Sequence, residues 1–112
     1  MDFHCFIPVE IKTAIYRIVQ EALTNICKYA TATEVAITLA TTPDEIQVIV
    51  RDNGKGFDLN QTTTSFGLQG MRERTATLGG NLQIITSPGK GCQIMVQFPC
   101  KLHSPTMDDT PL

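Results

Sequence analysis

Four short segments alternate apolar and polar side chains, and this period of two restricts the possible folds more than any other feature. The segments cover residues 34–40, 45–52, 81–87 and 91–99. In the second of them Ile46, Val48 and Val50 share one face. Alternation of this kind places one face of a strand against a covering layer and leaves the other face largely in water. The pattern predicts an antiparallel or mixed sheet with helices on one side.

The same rule assigns covered positions to the other three segments. These positions are Val35, Ile37, Leu39, Leu82, Ile84, Cys92, Ile94, Val96 and Phe98. Residues 42–44 have the sequence Thr-Pro-Asp and predict a turn between the first two segments. Residues 87–91 have the sequence Ser-Pro-Gly-Lys-Gly and predict a hairpin between the last two.

Two further segments have the period of a helix. Residues 8–29 place their apolar side chains in one arc, and Pro8 suits a first helical position. Residues 70–78 predict a second helix, which the pair Gly79 and Gly80 would end.

The order of these segments is helix, two strands, loop, helix, two strands. It predicts a two-layer α/β sandwich, with a mixed and mostly antiparallel sheet and helices packed on one face. We expect the domain to cover residues 8–100. Residues 1–7 would be a connector from an upstream domain, and residues 101–112 a flexible tail.

The bulk composition argues against several classes of function. The chain has 112 residues, of which 42% are hydrophobic and 18% charged, as expected for one globular domain. Its net charge of −2 comes without a basic block, so we expect no direct contact with nucleic acid. No apolar run has the length of a membrane span, and the N-terminal residues lack a signal-peptide pattern. We therefore expect no membrane contact and a cytoplasmic location.

The cysteines match neither a metal site nor a disulfide framework. Cys5, Cys27, Cys92 and Cys100 include no C-x-x-C pair, and the two histidines lie outside metal-ligand spacing. Scattered thiols on apolar faces indicate free cysteines in a reducing compartment, which agrees with a cytoplasmic location.

An aspartate occupies the next inward position of the second strand. If Ile46, Val48 and Val50 face the covered side, Asp52 faces it as well. A carboxylate that is buried without hydrogen-bond donors is costly, so the position indicates a partner for it. The alternative is that the strand ends at Arg51 and that Asp-Asn-Gly is only a turn.

Two glycines follow this aspartate at once, and the next strand does not begin before Asn81. A tight hairpin therefore does not explain Gly54 and Gly56. Bare backbone behind a strand is typical of a close approach to a flat ligand. A buried acceptor beside such backbone suits a heterocycle that carries an amino group, such as adenine.

A second glycine pair, Gly67 and Gly70, stands where the second helix begins. Helix N-termini bind phosphate, although glycines also simply begin helices. Arg72 and Arg74 in the first turns would meet phosphate or form a solvated face. The polar residues 58–66 before them predict a mobile lid or an idle surface loop.

The first helix carries a polar stripe of Glu21, Asn25 and Lys28, spaced four and three residues apart. The Asn25 amide oxygen suits Mg²⁺, which takes one or two protein oxygens together with substrate phosphates. Glu21 would orient or deprotonate a reacting group, and Lys28 would meet phosphate charge. The alternative is an ordinary exposed helix face.

Three segments in order carry a family resemblance: IYRIVQEALTNICKYA, DNGKGFD and GLQGMRERTATLGGNLQIITSPGKGCQIMVQFP. Together they resemble the ATP-binding catalytic domain of bacterial sensor histidine kinases. The similarity is greatest to the kinases that signal to response regulators with a helix-turn-helix output domain. The superfamily also includes DNA gyrase, the large heat-shock chaperones and the MutL proteins. The resemblance covers residues 8–99 and implies the Bergerat-type ATP-binding fold, with ATP and Mg²⁺ as cofactors.

The resemblance implies a role for each matching residue. Glu21 corresponds to the activating catalytic glutamate, Asn25 to the magnesium ligand and Lys28 to a phosphate contact. Asp52 corresponds to the aspartate that accepts from the adenine amino group. The remaining positions are glycines beneath the base and a second glycine box along the triphosphate. They are Gly54 and Gly56, and then Gly67, Leu68, Gly70 and Met71.

Two positions depart from the family pattern. Tyr29 stands where the family usually has His, and Cys92 stands where it usually has Thr. Cys92 is expected to face the base, and a thiol is a weak hydrogen-bond partner. The expected effect is a loss of about 1 kcal/mol in ATP binding.

The implied partners follow from the family. They are a histidine-containing dimerisation domain of the parent kinase and, indirectly, a response regulator, while the isolated domain is expected to be monomeric. Two alternatives stay open. One is a non-catalytic module whose interactions are gated by nucleotide, and the other is a serine kinase similar to the anti-sigma-factor kinases that share this fold.

Overall fold

The computed structural model describes residues 4–56, 67–99 and 101–103. Along the chain the elements are β1 (His4–Phe6), α1 (Val9–Asn25), a π-helical turn (Ile26–Ala30), β2 (Val35–Thr41), β3 (Glu45–Asp52), α2 (Leu68–Thr77), β4 (Asn81–Thr86), β5 (Cys92–Pro99) and β6 (Lys101–His103). Among these residues no helix has the length and apolar character to cross a membrane.

The main sheet has four strands in the order β2-β3-β5-β4, and all three neighbouring pairs are antiparallel. Two hairpins, β2 with β3 and β4 with β5, meet through the pairing of β3 with β5. The predicted two-layer α/β sandwich is confirmed. The sheet was expected to be mixed and mostly antiparallel, and every strand pair among the described residues is antiparallel.

The core lies between the two helices and the inner strands. Ile18 and Ala22 of α1 share one buried cluster with Val48 of β3 and Phe98 of β5, and each of the four is at most 2% exposed. Met71 and Thr75 of α2 are also buried, and the Thr75 hydroxyl donates to the Met71 carbonyl at 2.8 Å. This hydrogen bond removes the cost of a buried hydroxyl.

The apolar face of β2 contradicts the prediction of a covered strand. Val35, Ile37 and Leu39 are 44%, 51% and 62% exposed, and every residue of the strand is exposed. The strand lies at the edge of the sheet, while α1 packs against β3 and α2 against β4. Two helices are too few to cover four strands. The alternation of β2 therefore correctly predicts that its apolar side chains share one face of the strand, but it does not predict that this face is exposed.

The helix boundaries differ from the prediction in two places. Residues 8–29 were predicted as one helix, but α1 ends at Asn25 and continues as the π-helical turn. The second helix begins at Leu68 rather than near Gly70, because Gly67 adopts the left-handed conformation, with φ of 68°. It ends at Thr77, one residue before the predicted end at Leu78, which precedes the glycine pair.

A small second sheet joins the two ends of the described chain. His4–Phe6 pairs antiparallel with Lys101–His103. These two strands lie within the predicted connector over residues 1–7 and the predicted tail from residue 101, and each strand supplies the backbone partner of the other. The domain boundaries themselves stay a prediction.

We predict that Phe98→Ala lowers the free energy of unfolding by about 3–5 kcal/mol, since it leaves a cavity where the side chain is fully buried. Urea denaturation followed by circular dichroism measures the change. The matched control is Ile85→Ala, at a position that is 61% exposed, for which we expect a change of about 0.5 kcal/mol or less. Equal effects of the two substitutions would contradict this position of the core.

Candidate functional site

A cavity of about 270 Å³ opens where the end of α1, the π-helical turn, the end of β3 and the start of α2 meet. Its volume is close to the lower limit of small-molecule sites, roughly 300 Å³. The cavity combines an apolar floor with a few polar groups. Its lining residues are Ala22, Asn25, Ile26, Lys28, Tyr29, Ala30, Val50, Asp52, Lys55, Gly56, Leu68, Cys92 and Ile94.

Asp52 lies on the covered face of β3, as its inward position predicts. The residue is only 7% exposed and lines the cavity. The Gly54 N–H donates to the Asp52 Oδ1 at 2.7 Å, which holds the carboxylate at the end of the strand. The alternative of a simple exposed turn is therefore wrong, because the strand extends to residue 52 and the side chain is buried.

The two glycines behind Asp52 contact protein backbone. A Cβ on Gly54 would collide with the carbonyl group of Ala30, and the Lys55 N–H donates to that carbonyl oxygen at 2.8 Å. Gly56 has φ of 61°, and a Cβ there would collide with the carbonyl oxygens of Ser87 and Gly91. The interpretation that both glycines make room for a ligand was incomplete, because close packing of three backbone segments already requires them. Gly56 still lines the cavity.

Asn53 fixes the loop on its other side. Its Oδ1 accepts hydrogen bonds from the backbone N–H groups of Thr33 and Glu34, each at 2.9 Å, and its Nδ2 donates to the Thr33 hydroxyl at 2.9 Å. Sequence reasoning treated this residue as part of a turn. The adjacent Asp-Asn-Gly signal gave no information about the distant backbone groups that Asn53 satisfies.

The π-helical turn supplies one wall of the cavity. Lys28 and Tyr29 line it together with Asn25, the last residue of α1. The turn ends at Thr31, which has the left-handed φ of 52°. Single π-helical turns occur frequently at functional sites, where the wider turn redirects side chains. Tyr29 entered the sequence analysis only as a departure from a pattern, and Lys55 was not considered, yet both line the cavity.

Cys92 lines the cavity directly across the strand pair from Asp52. The pKa of the Cys92 thiol is raised from 9.0 to about 11. Burial is the largest cause, the negative charge of Asp52 is the second, and a hydrogen bond with Thr86 acts in the opposite direction. The thiol is therefore neutral at physiological pH.

Glu21 lies in a neighbouring cavity of about 220 Å³ between α1 and the start of α2. This cavity is lined by Arg17, Gln20, Glu21, Gly67, Gly70 and Arg74. A Cβ on Gly67 would collide with the Glu21 carboxylate, so the bare backbone of Gly67 is what brings α2 close to that side chain. Arg17, to which the sequence analysis assigned no role, joins Glu21 here.

Nine of the eleven predicted site residues thus divide between two adjacent cavities. Asn25, Lys28, Asp52, Gly56, Leu68 and Cys92 line the first, while Glu21, Gly67 and Gly70 line the second. Gly54 and Met71 line neither cavity, and the Met71 side chain is fully buried in the core. The ligand contacts expected of these two residues stay predictions. The predicted lid over residues 58–66 lies outside the described residues.

The family described as "Histidine kinase-, DNA gyrase B-, and HSP90-like ATPase" matches residues 10–102. The chain belongs to this family. The resemblance inferred from the three sequence motifs is therefore confirmed, and both cavities lie within the matched range.

Two relatives show how the chain compares with longer proteins of the family. The chain is 41% identical over 86 residues to the sensor histidine kinase LiaS of Bacillus subtilis, an alignment that covers 76% of the chain and 24% of LiaS. It is also 41% identical over 93 residues to the signal transduction histidine-protein kinase/phosphatase DegS of Brevibacillus brevis, which covers 82% and 24%. The chain spans about a quarter of the length of these relatives.

Solved structures share the fold of the family. The histidine kinase domain of the blue-light activated histidine kinase EL346 from Erythrobacter litoralis superposes with a TM-score of 0.67 at 23% identity, over 83% of this chain and 46% of that one. The ATP-binding domain of PrrB from Mycobacterium tuberculosis gives 0.64 at 19% identity, over 80% and 68%.

We predict that the raised pKa of Cys92 makes the protein less stable at alkaline pH. The thiol keeps its proton in the folded state up to about pH 11 but loses it in the unfolded state near pH 9.0, so stability falls as the pH rises between these values. Urea denaturation of the wild type and of Cys92→Thr across this range should show a steeper decline for the wild type. Parallel declines would contradict the buried position of the thiol.

Proposed function

We propose that the chain is the ATP-binding catalytic domain of a sensor histidine kinase. It binds Mg-ATP and donates the γ-phosphate to a histidine on a separate dimerisation domain. The observation that carries the proposal is the buried Asp52 carboxylate, which accepts a hydrogen bond from the Gly54 N–H and lines a cavity with an apolar floor. The named relatives, which are sensor histidine kinases, support it as well.

Adenine fits the first cavity by its chemistry. Val50, Ile94 and Ala22 provide apolar surface for a flat ring. The Asp52 carboxylate accepts hydrogen bonds only, so it would accept from the exocyclic amino group of adenine. Guanine presents a carbonyl oxygen at the same ring position and would be repelled by the carboxylate. The cavity should therefore select ATP over GTP.

The phosphates would extend from the first cavity toward the second. The N-terminus of α2 lies between the two cavities, because Leu68 lines the first and Gly67 lines the second. Free N–H groups and the helix dipole at such a position favour phosphate. Lys28 in the first cavity, and Arg17 and Arg74 in the second, add positive charge along this path.

Magnesium would be held by the Asn25 amide oxygen together with the phosphates. Among the described residues no group of three or more His, Cys, Asp or Glu side chains could hold a metal ion. Mg²⁺ commonly takes one or two protein oxygens plus phosphate oxygens, and Asn25 at the edge of the cavity offers one. When bound, the ion neutralises the charge that develops on the transferred phosphoryl group.

Glu21 would act at the transfer step. A ring nitrogen of the partner histidine attacks the γ-phosphorus, and the bond from that phosphorus to the bridging oxygen of ADP breaks as the new P–N bond forms. Glu21 lies in the second cavity, at the far end of the phosphate path from Asp52. Its carboxylate would orient the incoming imidazole or accept its proton.

We predict that Asp52→Asn weakens Mg-ATP binding roughly 10- to 150-fold, because the loss of a hydrogen bond to a charged group costs about 1.5–3 kcal/mol. Isothermal titration calorimetry measures the affinity, and circular dichroism verifies the fold. The matched control is Asp44→Asn in the exposed β2–β3 turn, which should bind as the wild type does. Unchanged affinity of Asp52→Asn would refute the adenine role.

We also predict that Glu21→Gln keeps Mg-ATP affinity within about threefold while phosphoryl transfer falls by roughly 10²–10⁴-fold. The assay follows radiolabelled phosphate from ATP to a histidine-containing dimerisation domain added in trans. The control is Glu10→Gln on the exposed first turn of α1, which should transfer normally. Loss of ATP affinity in Glu21→Gln would show that the residue supports binding rather than transfer.

The same assay decides between the proposal and its alternative. Tyr29 and Cys92, the two departures from the family pattern, both line the first cavity and favour a non-catalytic module that only binds nucleotide. Such a module would bind Mg-ATP and never transfer phosphate to any histidine domain. Transfer to a serine substrate would instead identify the serine-kinase alternative.

A further inference from the structure

The outer edge of β2 is unprotected among the described residues. Its seven residues, with the sequence VAITLAT, include no charged side chain and no proline. The strand pairs with β3 on one side only, so its other edge directs backbone N–H and C=O groups outward. Natural edge strands are usually short, bulged, charged or covered, because an open edge is a template for pairing with another chain.

The apolar stripe of β2 (Val35, Ile37 and Leu39) continues the core face of the sheet outward. Ile37 lies opposite Val50 and Leu39 opposite Val48, and these two β3 residues are buried. The stripe therefore points to the same side as the core but lies beyond the helices. Its exposure, from 44% at Val35 to 62% at Leu39, leaves an apolar surface next to an open edge.

The near flank of α1 is apolar as well. Arg17 and Glu21 face α2, with which they share a cavity. Ile15 and Val19 lie about 120–160° around the helix from these residues, on the flank away from α2. Both are partly buried against the core. Apolar side chains of α1 and the apolar stripe of β2 therefore lie on the same side of the sheet.

We propose that a second copy of the chain pairs with this edge, with β2 antiparallel to β2 around a two-fold axis at Thr38. The two four-stranded sheets would then join into one sheet of eight strands. A two-fold interface uses the same patch on both copies, so both edges are satisfied at once and the assembly closes as a dimer. This goes beyond the nucleotide site and departs from the expectation of a monomer.

The residue pattern selects this register. With Thr38 on the axis, all seven residues of β2 are paired, and Ile37 meets Leu39 of the second copy on the core side. On the other side Ala36 meets Ala40, both small, and Thr38 meets Thr38, a favourable cross-strand pair. Glu34 falls opposite Thr42, so no like charges meet. A shift of one residue would pair the stripe with the opposite face.

The association should be weak on its own. Three partly exposed side chains provide much less than the 1,200–2,000 Å² typical of stable interfaces, so we expect a dissociation constant of about 10–1,000 μM. The axis lies three residues from Val35, which pairs with Asp52 at the cavity end of the strand. Nucleotide binding should therefore be independent of pairing and can serve as a control for folding.

Sedimentation equilibrium of the full chain tests the proposal over a range that reaches about 1 mM. The apparent mass should rise with concentration from 12.3 kDa toward twice that value. Ile37→Lys should raise the dissociation constant at least tenfold, because the charge would be placed against Leu39 of the second copy. The matched control, Ile85→Lys, alters the exposed apolar residue of the opposite edge strand β4 and should dimerise as the wild type does.

Amide hydrogen exchange supplies the geometric readout. Alternate amides of β2, those directed away from β3, should become protected as the concentration rises, while those of β4 should not. A monomer at every concentration would overturn the proposal and leave the stripe to a different protein. Equal loss of association in both lysine variants, or growth beyond a dimer, would overturn it too. Unchanged Mg-ATP binding in Ile37→Lys separates a failure of pairing from a failure of the nucleotide site.

Discussion

The unbroken alternation of β3 is the constraint on which the rest of the structure depends. Val48 and Val50 anchor the strand in the core, and the same parity carries Asp52 to the buried edge of that core. A one-residue slip would expose all three. Because β3 pairs with β2 on one side and β5 on the other, it also sets the position of Cys92 across from the carboxylate. Fold and candidate site are thus specified by one strand.

Much of this could be predicted from local patterns. Period-two and period-3.6 signals gave the strands, the helices and the inward position of Asp52, because each depends only on neighbouring residues. What failed depends on tertiary context. The exposure of Leu39 follows from the number of helices above the sheet, and the close contacts of Gly54 and Gly56 involve segments distant in sequence. A π-helical turn at Ile26–Ala30 leaves no simple signal in the sequence.

The start of α2 divides the candidate site into two chemically different parts. It separates a cavity with an apolar floor and one buried acid from a cavity that collects Glu21 and two arginines. An elongated ligand with a flat ring at one end and negative charge at the other matches this separation. The left-handed Gly67 makes the arrangement possible, since a side chain there would push α2 away from the Glu21 carboxylate. Sequence motifs named these residues but did not show that they occupy two compartments.

The hairpin between β4 and β5 lies at the surface but supports the backbone around Asp52 and Lys55. Its residue Gly89 donates a backbone hydrogen bond to Lys55, and Gly91 lies against the backbone of Asp52 without room for a side chain. The loop that follows Asp52 therefore packs against this hairpin. An insertion or a bulkier residue in the hairpin would shift the Asp52 carboxylate within the first cavity, although the hairpin itself would contact no ligand. Substitutions outside the cavity could therefore change nucleotide affinity during evolution.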